Sequence, residues 1–250
     1  MIATITGKEL RGLFSTPLAW IILAALQVIF AWIFLLRLDS FLELQSGLQQ
    51  LANAPGVTEI VIVPLYSAAA VVLLMATPIL AMRLIAEERR NRTMTLLVSA
   101  PLSMTQIALG KFISLTVFLT LPIALLSVMG ASLLVGGELD FGLVLANVLG
   151  LVLLVATFAA VGLFASSLTA QPIVAAVIAL ALLLASWLAS LANPDPGSLV
   201  QLLSVTRRFE NFNNGIIDSA DVIWHVLAIT LFLALTIRRL DRDRLLGQVL

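Results

Sequence analysis

Several stretches of this chain carry about 20 consecutive apolar residues with no Asp, Glu, Lys or Arg, and that pattern leaves little freedom of architecture. A helix rising roughly 1.5 Å per residue needs that length to cross a hydrocarbon core of about 30 Å. Of the 250 residues 61% are apolar and 11% charged, with a mean hydropathy of +1.11, too little charge for a water-soluble fold to cover its surface. The chain therefore reads as an all-α integral membrane protein, one transmembrane domain over residues 1–250.

Six spans are predicted, at 17–36, 61–82, 107–135, 143–167, 172–192 and 222–237. Pro122 near the middle of the third predicts a kink or a local break, with two coupled shorter helices as the alternative. Orientation follows from the basic residues, which favour the cytoplasmic side. With the N-terminus inside, the inner segments hold Lys8, Arg11, Arg83, Arg89, Arg90, Arg92, Lys111, Arg238, Arg239, Arg242 and Arg244, against Arg37, Arg207 and Arg208 outside. Both termini are then cytoplasmic. Formal net charge is zero, so nothing suggests a nucleic-acid partner, whose phosphates would demand a basic face. There is no cysteine, hence no disulfide and no thiolate metal site. The first apolar run is too long for a signal peptide and reads as a retained span.

Ahead of that span, Ile2, Ile5, Leu10, Leu13 and Phe14 share one helical arc with Lys8 and Arg11 opposite, which suits a helix in the inner interface. Glu9 falls inside the apolar arc and runs against the pattern; a frayed terminus is the alternative. Residues 37–60 read as a polar outer loop with a turn at Asn53, Pro55 and Gly56. Short connections at 136–142 and 166–172 make spans three, four and five neighbours. The outer segment 193–221 opens Asn-Pro-Asp-Pro-Gly, has a capping box at Ser198 and Gln201, and carries Phe209 and Phe212. It predicts either a pair of short helices dipping back into the bilayer or an amphipathic helix resting on it.

The segment 83–111, RLIAEERRNRTMTLLVSAPLSMTQIALGK, is the only long charged island. Its charges would each cost about 2.5 to 3.5 kcal/mol at mid-bilayer, so the helix of span two is expected to run on into the cytoplasm. Thr93 is placed to cap a short helix with Met94, Leu97 and Val98 on one stripe, Pro101 ends it, and Ser103 with Gln106 forms a capping box that starts span three. A helix lying on the membrane surface would show the same stripe.

The order of residues here, an acidic pair, a basic cluster, Thr, then TLLVSAPLS and a following Gly110 and Lys111, resembles the signature of type-2 ABC-transporter permeases. The opening ITGKELRGLFSTPLAW is similar to that family's N-terminal Lys-Glu helix, and RRFENFNNGIIDSADVIW to the stretch before the last span in the gliding-motility subgroup. The resemblance implies a permease subunit that is not itself an enzyme. It would work as two copies, or with a homologous permease, on cytosolic ATPase subunits that bind the ATP and magnesium, in the cytoplasmic (inner) membrane of a prokaryote. An accessory membrane or periplasmic subunit belongs to the same expectation. By the resemblance, Glu87, Glu88, Arg89, Thr93, Met94, Leu96, Leu97 and Pro101 form the region that meets the ATPase. Spans two and five would lie at the subunit interface, and the segment before span six would fold into re-entrant outer helices. Asn91 and Arg92 stand where members of the family often have Gly.

Other patterns narrow the reading. The pairs Gly7-Lys8 and Gly110-Lys111 lack the earlier glycine and following hydroxyl of a phosphate loop, so the chain holds no such ATP site. The sole histidine, His225, sits beside Trp224 at the start of span six, in what reads as an interfacial position without metal partners. Spans two to five carry no Asp, Glu or His to bind a driving ion, which points to energy supplied from elsewhere. Small residues recur every fourth position: Gly142, Ala146 and Gly150 read as packing within the subunit, and Ala181, Ala185 and Ala189, on the resemblance, as a dimer contact. The function expected is export of a hydrophobic or amphipathic substrate, or, alternatively, transmission of force to an outer-face partner without transport.

Overall fold

The computed structural model describes residues 1–48, 55–94, 102–135, 139–192 and 204–245. Every regular element among them is helical: α1 (Ile2–Ser15), α2 (Pro17–Leu48), a π-helical turn (Thr58–Ile62) leading into α3 (Val63–Ala81), α4 (Ala86–Arg90), α5 (Met104–Ala131) with a 3-10 extension (Ser132–Val135), α6 (Phe141–Leu168), α7 (Pro172–Ala192), α8 (Val205–Asn213) and α9 (Ser219–Leu245). Six segments are long and apolar enough to cross a membrane: Pro17–Gln45, Thr58–Arg90, Met104–Leu134, Phe141–Leu168, Pro172–Ala189 and Ser219–Leu245.

The six expected spans are thus all present, and their ends differ where local chemistry decides. α2 continues past Leu36 through Asp39 and Glu43 to Leu48, so much of the expected polar loop is helix with its charges projecting outward. α5 passes through Pro122 without interruption over its 28 residues, a single helix rather than two. Its start is the capping box read from sequence: the Gln106 amide donates to Ser103 Oγ at 3.2 Å and the Ser103 amide to Gln106 Oε1 at 3.3 Å. Asp140 starts α6 in the same way, its carboxylate accepting from the Leu143 amide at 3.1 Å.

α6 is the centre of the bundle. It packs against α3, α5, α7, α8 and α9, and 72% of its apolar stretch is buried inside the chain, against 17% for α7 and 22% for α9. Two of its glycines let neighbours close in. A Cβ on Gly162 would stand 2.5 Å from the Ala81 methyl of α3, and one on Gly150 would overlap Phe212 of α8. α1 lies side by side with the first half of α5, the contacts advancing in step from Ile5 at Gly110, through Glu9 at Lys111, to Phe14 at Phe118, whose rings are 5.2 Å apart. Its apolar arc is therefore spent largely on α5, and Lys8 and Arg11 face outward.

Candidate functional site

The end of the bundle that carries the charged island is built around a broken helix. Sequence leads one to expect α3 to run straight on; instead it stops at Ala81, turns over Met82–Ile85 and restarts as α4. The cause lies on α6. Ser166 Oγ accepts from the amides of Ile85 at 3.1 Å and Ala86 at 3.0 Å and donates to the Met82 carbonyl at 3.0 Å. One hydroxyl thus replaces the backbone acceptors that a continuous helix would have offered, and it satisfies both sides of the break in a buried place.

α4 is short and its two central charges point to opposite partners. Glu88 Oε1 accepts from Lys111 Nζ at 2.7 Å, and the same ammonium reaches Glu9 Oε1 at 3.1 Å, joining α4, α5 and α1 through one lysine that is 1% exposed. The adjacent Arg89 pairs through Nη2 with Asp243 Oδ2 of α9, whose other oxygen lies 3.6 Å from Arg239 Nε. Gly110 makes the first junction feasible, since a Cβ there would meet Ile5 Cγ2 at 2.6 Å and hold α1 away from Lys111. Enclosure takes the side chain out of water, and the two carboxylates stand where its hydration would have been.

α4 closes with a Schellman motif. The Thr93 amide donates to the Glu88 carbonyl at 3.0 Å and the Arg92 amide to that of Arg89 at 3.2 Å, which requires Arg92 to take φ 55°. Here the chain uses arginine at a left-handed position that suits glycine.

The residues expected to meet a partner are therefore divided. Glu87 is outward, 41% exposed and 3.4 Å from Arg83. Glu88 and Arg89 face inward, their side chains 16% and 18% exposed, and each pairs with a buried partner within the chain. The Thr93 hydroxyl donates to the Glu88 carbonyl at 3.3 Å, and Met94 is buried. Leu96, Leu97 and Pro101, with the short helix expected around them, lie outside the described residues. Sequence reading missed Lys111, Glu9, Ser166 and Asp243 as a joint. Glu9 alone had signalled it, as a carboxylate in the middle of an apolar arc.

At the other end of the bundle, α8 packs inside it. Phe209 and Phe212 are buried, Phe212 against Gly150; Asn213 Nδ2 donates to Ser67 Oγ at 2.7 Å, and Asn147 Nδ2 to the Asn213 carbonyl at 3.2 Å. Asp221 of α9 is 1% exposed and is held by Arg208 Nη1 at 2.8 Å and Asn211 Nδ2 at 2.6 Å. His225, expected at an interface, is instead fully buried, its Nδ1 2.8 Å from Thr157 Oγ1. Ser198 and Gln201 lie outside the described residues. Of the small-residue stripe on α7, Ala181 is exposed, while Ala185 and Ala189 line a groove shared with α9. Among the described residues no group of His, Cys, Asp and Glu could hold a metal ion.

The arrangement has the makings of a mechanical joint: buried charges, each on a different helix, meet at a short element that leads into the island. A family model described as ABC-2 family transporter protein matches residues 40–237, more than half of the chain. No curated protein matches it.

Proposed function

The chain belongs to the ABC-2 family of transporter membrane proteins, and from that premise we propose that it is the permease subunit of an ATP-driven exporter whose motor engages the segment following α4. The observation that carries this reading is the pair Glu88 and Arg89, which ties one short helix to α1 and α5 on one side and to α9 on the other. A push delivered beside α4 would reach three helices at once through charge pairs that are costly to separate. The route is thus a joint hinged at Ser166 rather than a rigid extension of α3.

ATP and magnesium belong to cytosolic partner subunits. The excess of basic residues on the α4 side supports that side, with both termini, as cytoplasmic; the inner membrane of a prokaryote is carried over from the resemblance. A second copy, or a homologous permease, fits the stripe Val71, Met75 and Ile79 of α3 together with Val177 and Ala181 of α7, apolar residues exposed on adjoining helices. The substrate would be hydrophobic or amphipathic, since no titratable group lines the described crevices between the spans apart from Glu210 at the α8 end.

The test is co-expression with candidate ATPases. A stable complex with ATP hydrolysis that drops on Leu97→Asp is expected; assembly and turnover indifferent to that change would sink the proposal.

A second reading, force transmission to an outer-face partner without transport, draws support from α8. This helix is seated like a re-entrant element, yet presents Arg207 and Glu210 outward. Changing Arg207 to Glu should spare transport and abolish docking if that reading holds.

A further inference from the structure

A crevice runs into the bundle between α3, α6, α7 and α8, and its two ends differ in kind. At the α8 end stand Ser67, Thr206 and Glu210. Further in, Leu74 of α3 with Leu154 and Phe158 of α6 supply an apolar floor, and Trp187 of α7 adds a second ring. Ser67 and Leu74 are separated on α3 by roughly 10 Å, at 1.5 Å per residue. The recess is therefore amphipathic along its length, polar at the mouth and apolar at depth.

The polar end is unspent. Thr206 and Glu210 lie one turn apart on the same face of α8, and among the described residues neither side chain makes a hydrogen bond or an ion pair. Arg208 of the same helix is committed to Asp221 at 2.8 Å, and no Lys or Arg lines the crevice. Ser67 Oγ accepts from Asn213 Nδ2 at 2.7 Å, and behind it the other half of that amide is an acceptor in want of a donor: Asn213 is 6% exposed and its Oδ1 has no partner. The mouth thus offers a negative charge and surplus acceptors, with no positive group to meet them.

We propose that this crevice binds an amphipathic primary ammonium, its head at Glu210 and its apolar tail along the floor between Leu74 and Phe158. An ammonium brings three N–H donors and a positive charge to a carboxylate and unpaired acceptors, and the aromatic faces of the lining favour a cation over an anion. A zwitterionic lipid head fits less well, because its phosphate would meet the same carboxylate. As the substrate class of the transporter this rests on the permease reading; as a binding site it does not.

The experiment uses the full chain, reconstituted in phosphatidylcholine with no ATPase present. Three photoprobes of equal chain length, decylamine, decanol and decanoate, each carry a mid-chain diazirine, and adducts are mapped by peptide mass spectrometry. Normalising to adducts on Trp32 and Leu36, exposed on α2, removes differences in partition into the bilayer. The amine should label residues 70–74 and 154–158 about ten-fold more than the alcohol, and the carboxylate least, as expected of one hydrogen-bonded charge pair. Glu210→Gln should bring the amine down to the level of the alcohol, and Glu210→Asp should keep most of the preference. Glu210 is exposed and tied to nothing in the chain, so neither variant removes a contact that holds the fold. Glu43→Gln, which removes an exposed carboxylate of α2, should change nothing at the crevice. Equal labelling by amine and alcohol, or amine labelling that persists in Glu210→Gln, overturns the proposal. Displacement of the amine by excess phosphatidylethanolamine overturns it too, since the crevice would then belong to bilayer lipid. Without an ATPase in the assay, a negative result leaves the permease reading standing, whereas an ATPase indifferent to Leu97→Asp would remove that reading and leave this site.

Discussion

Lys111 contributes to this fold chiefly through what its absence would leave behind. With Glu9 and Glu88 each only slightly exposed, removing the ammonium strands two carboxylates on apposed helices. Lys111→Met should therefore cost about 3 kcal/mol, toward the low end for a broken buried pair because both carboxylates keep some water. Adding Glu88→Met should recover part of that loss, since replacing charges by apolar groups of similar size removes the uncompensated ion as well. Thermal unfolding in detergent checks both; a single variant as stable as the parent would mean that the pair contributes nothing. Arg92 makes the opposite case. A left-handed backbone costs a side-chain-bearing residue about 1–2 kcal/mol, partly offset by the freedom glycine gains when unfolded. Arg92→Gly should therefore be more stable than Arg92→Ala by about 1 kcal/mol in the same measurement, since both lose the side chain and only glycine also relieves the backbone.

Elements in this molecule are set at two ranges of sequence, and only one of them can be read in advance. The spans follow from uncharged length, and the start of α5 from a capping box contained within Ser103–Gln106, so both were legible. The break between α3 and α4 was not, because its cause is a hydroxyl on α6, nor was the inward turn of Glu88 and Arg89, whose partners lie on α5 and α9. The placement of α8 belongs with these. Its apolar residues announced a helix with a buried side, but the depth at which it lies is set by the missing side chain at Gly150. Gly150→Ala should unseat it, and Phe212→Ala should fail to rescue the variant, because the new methyl would overlap the Cβ of residue 212, which alanine keeps. Amide hydrogen exchange over 205–213 is the readout. Protection equal to that of the parent would show that α8 is held by Asn213 and Asp221 rather than by this contact.

At the scale of the whole molecule, the question is which charges of the island hold the subunit together and which face a motor. Neighbouring glutamates on α4 separate the two roles. Glu87 is 41% exposed and pairs with Arg83, an exposed pair of the kind worth little to stability. Glu88 closes the buried junction with Lys111. Glu87→Arg should leave the unfolding temperature of the isolated subunit unchanged and weaken its complex with the cognate ATPase, as loss of co-purified ATPase or of stimulated hydrolysis. Glu88→Arg should do the reverse in order of cause: it places a cation against Lys111, destabilises the subunit first, and loses the complex only as a consequence. A Glu88→Arg, Lys111→Glu exchange restores opposite charges at the junction but leaves Glu9 facing a new carboxylate, so stability should return only in part, and further with Glu9→Gln. If Glu87→Arg instead lowers the stability of the isolated subunit as much as Glu88→Arg does, the outer face of α4 is structural too, and the motor must engage the chain elsewhere.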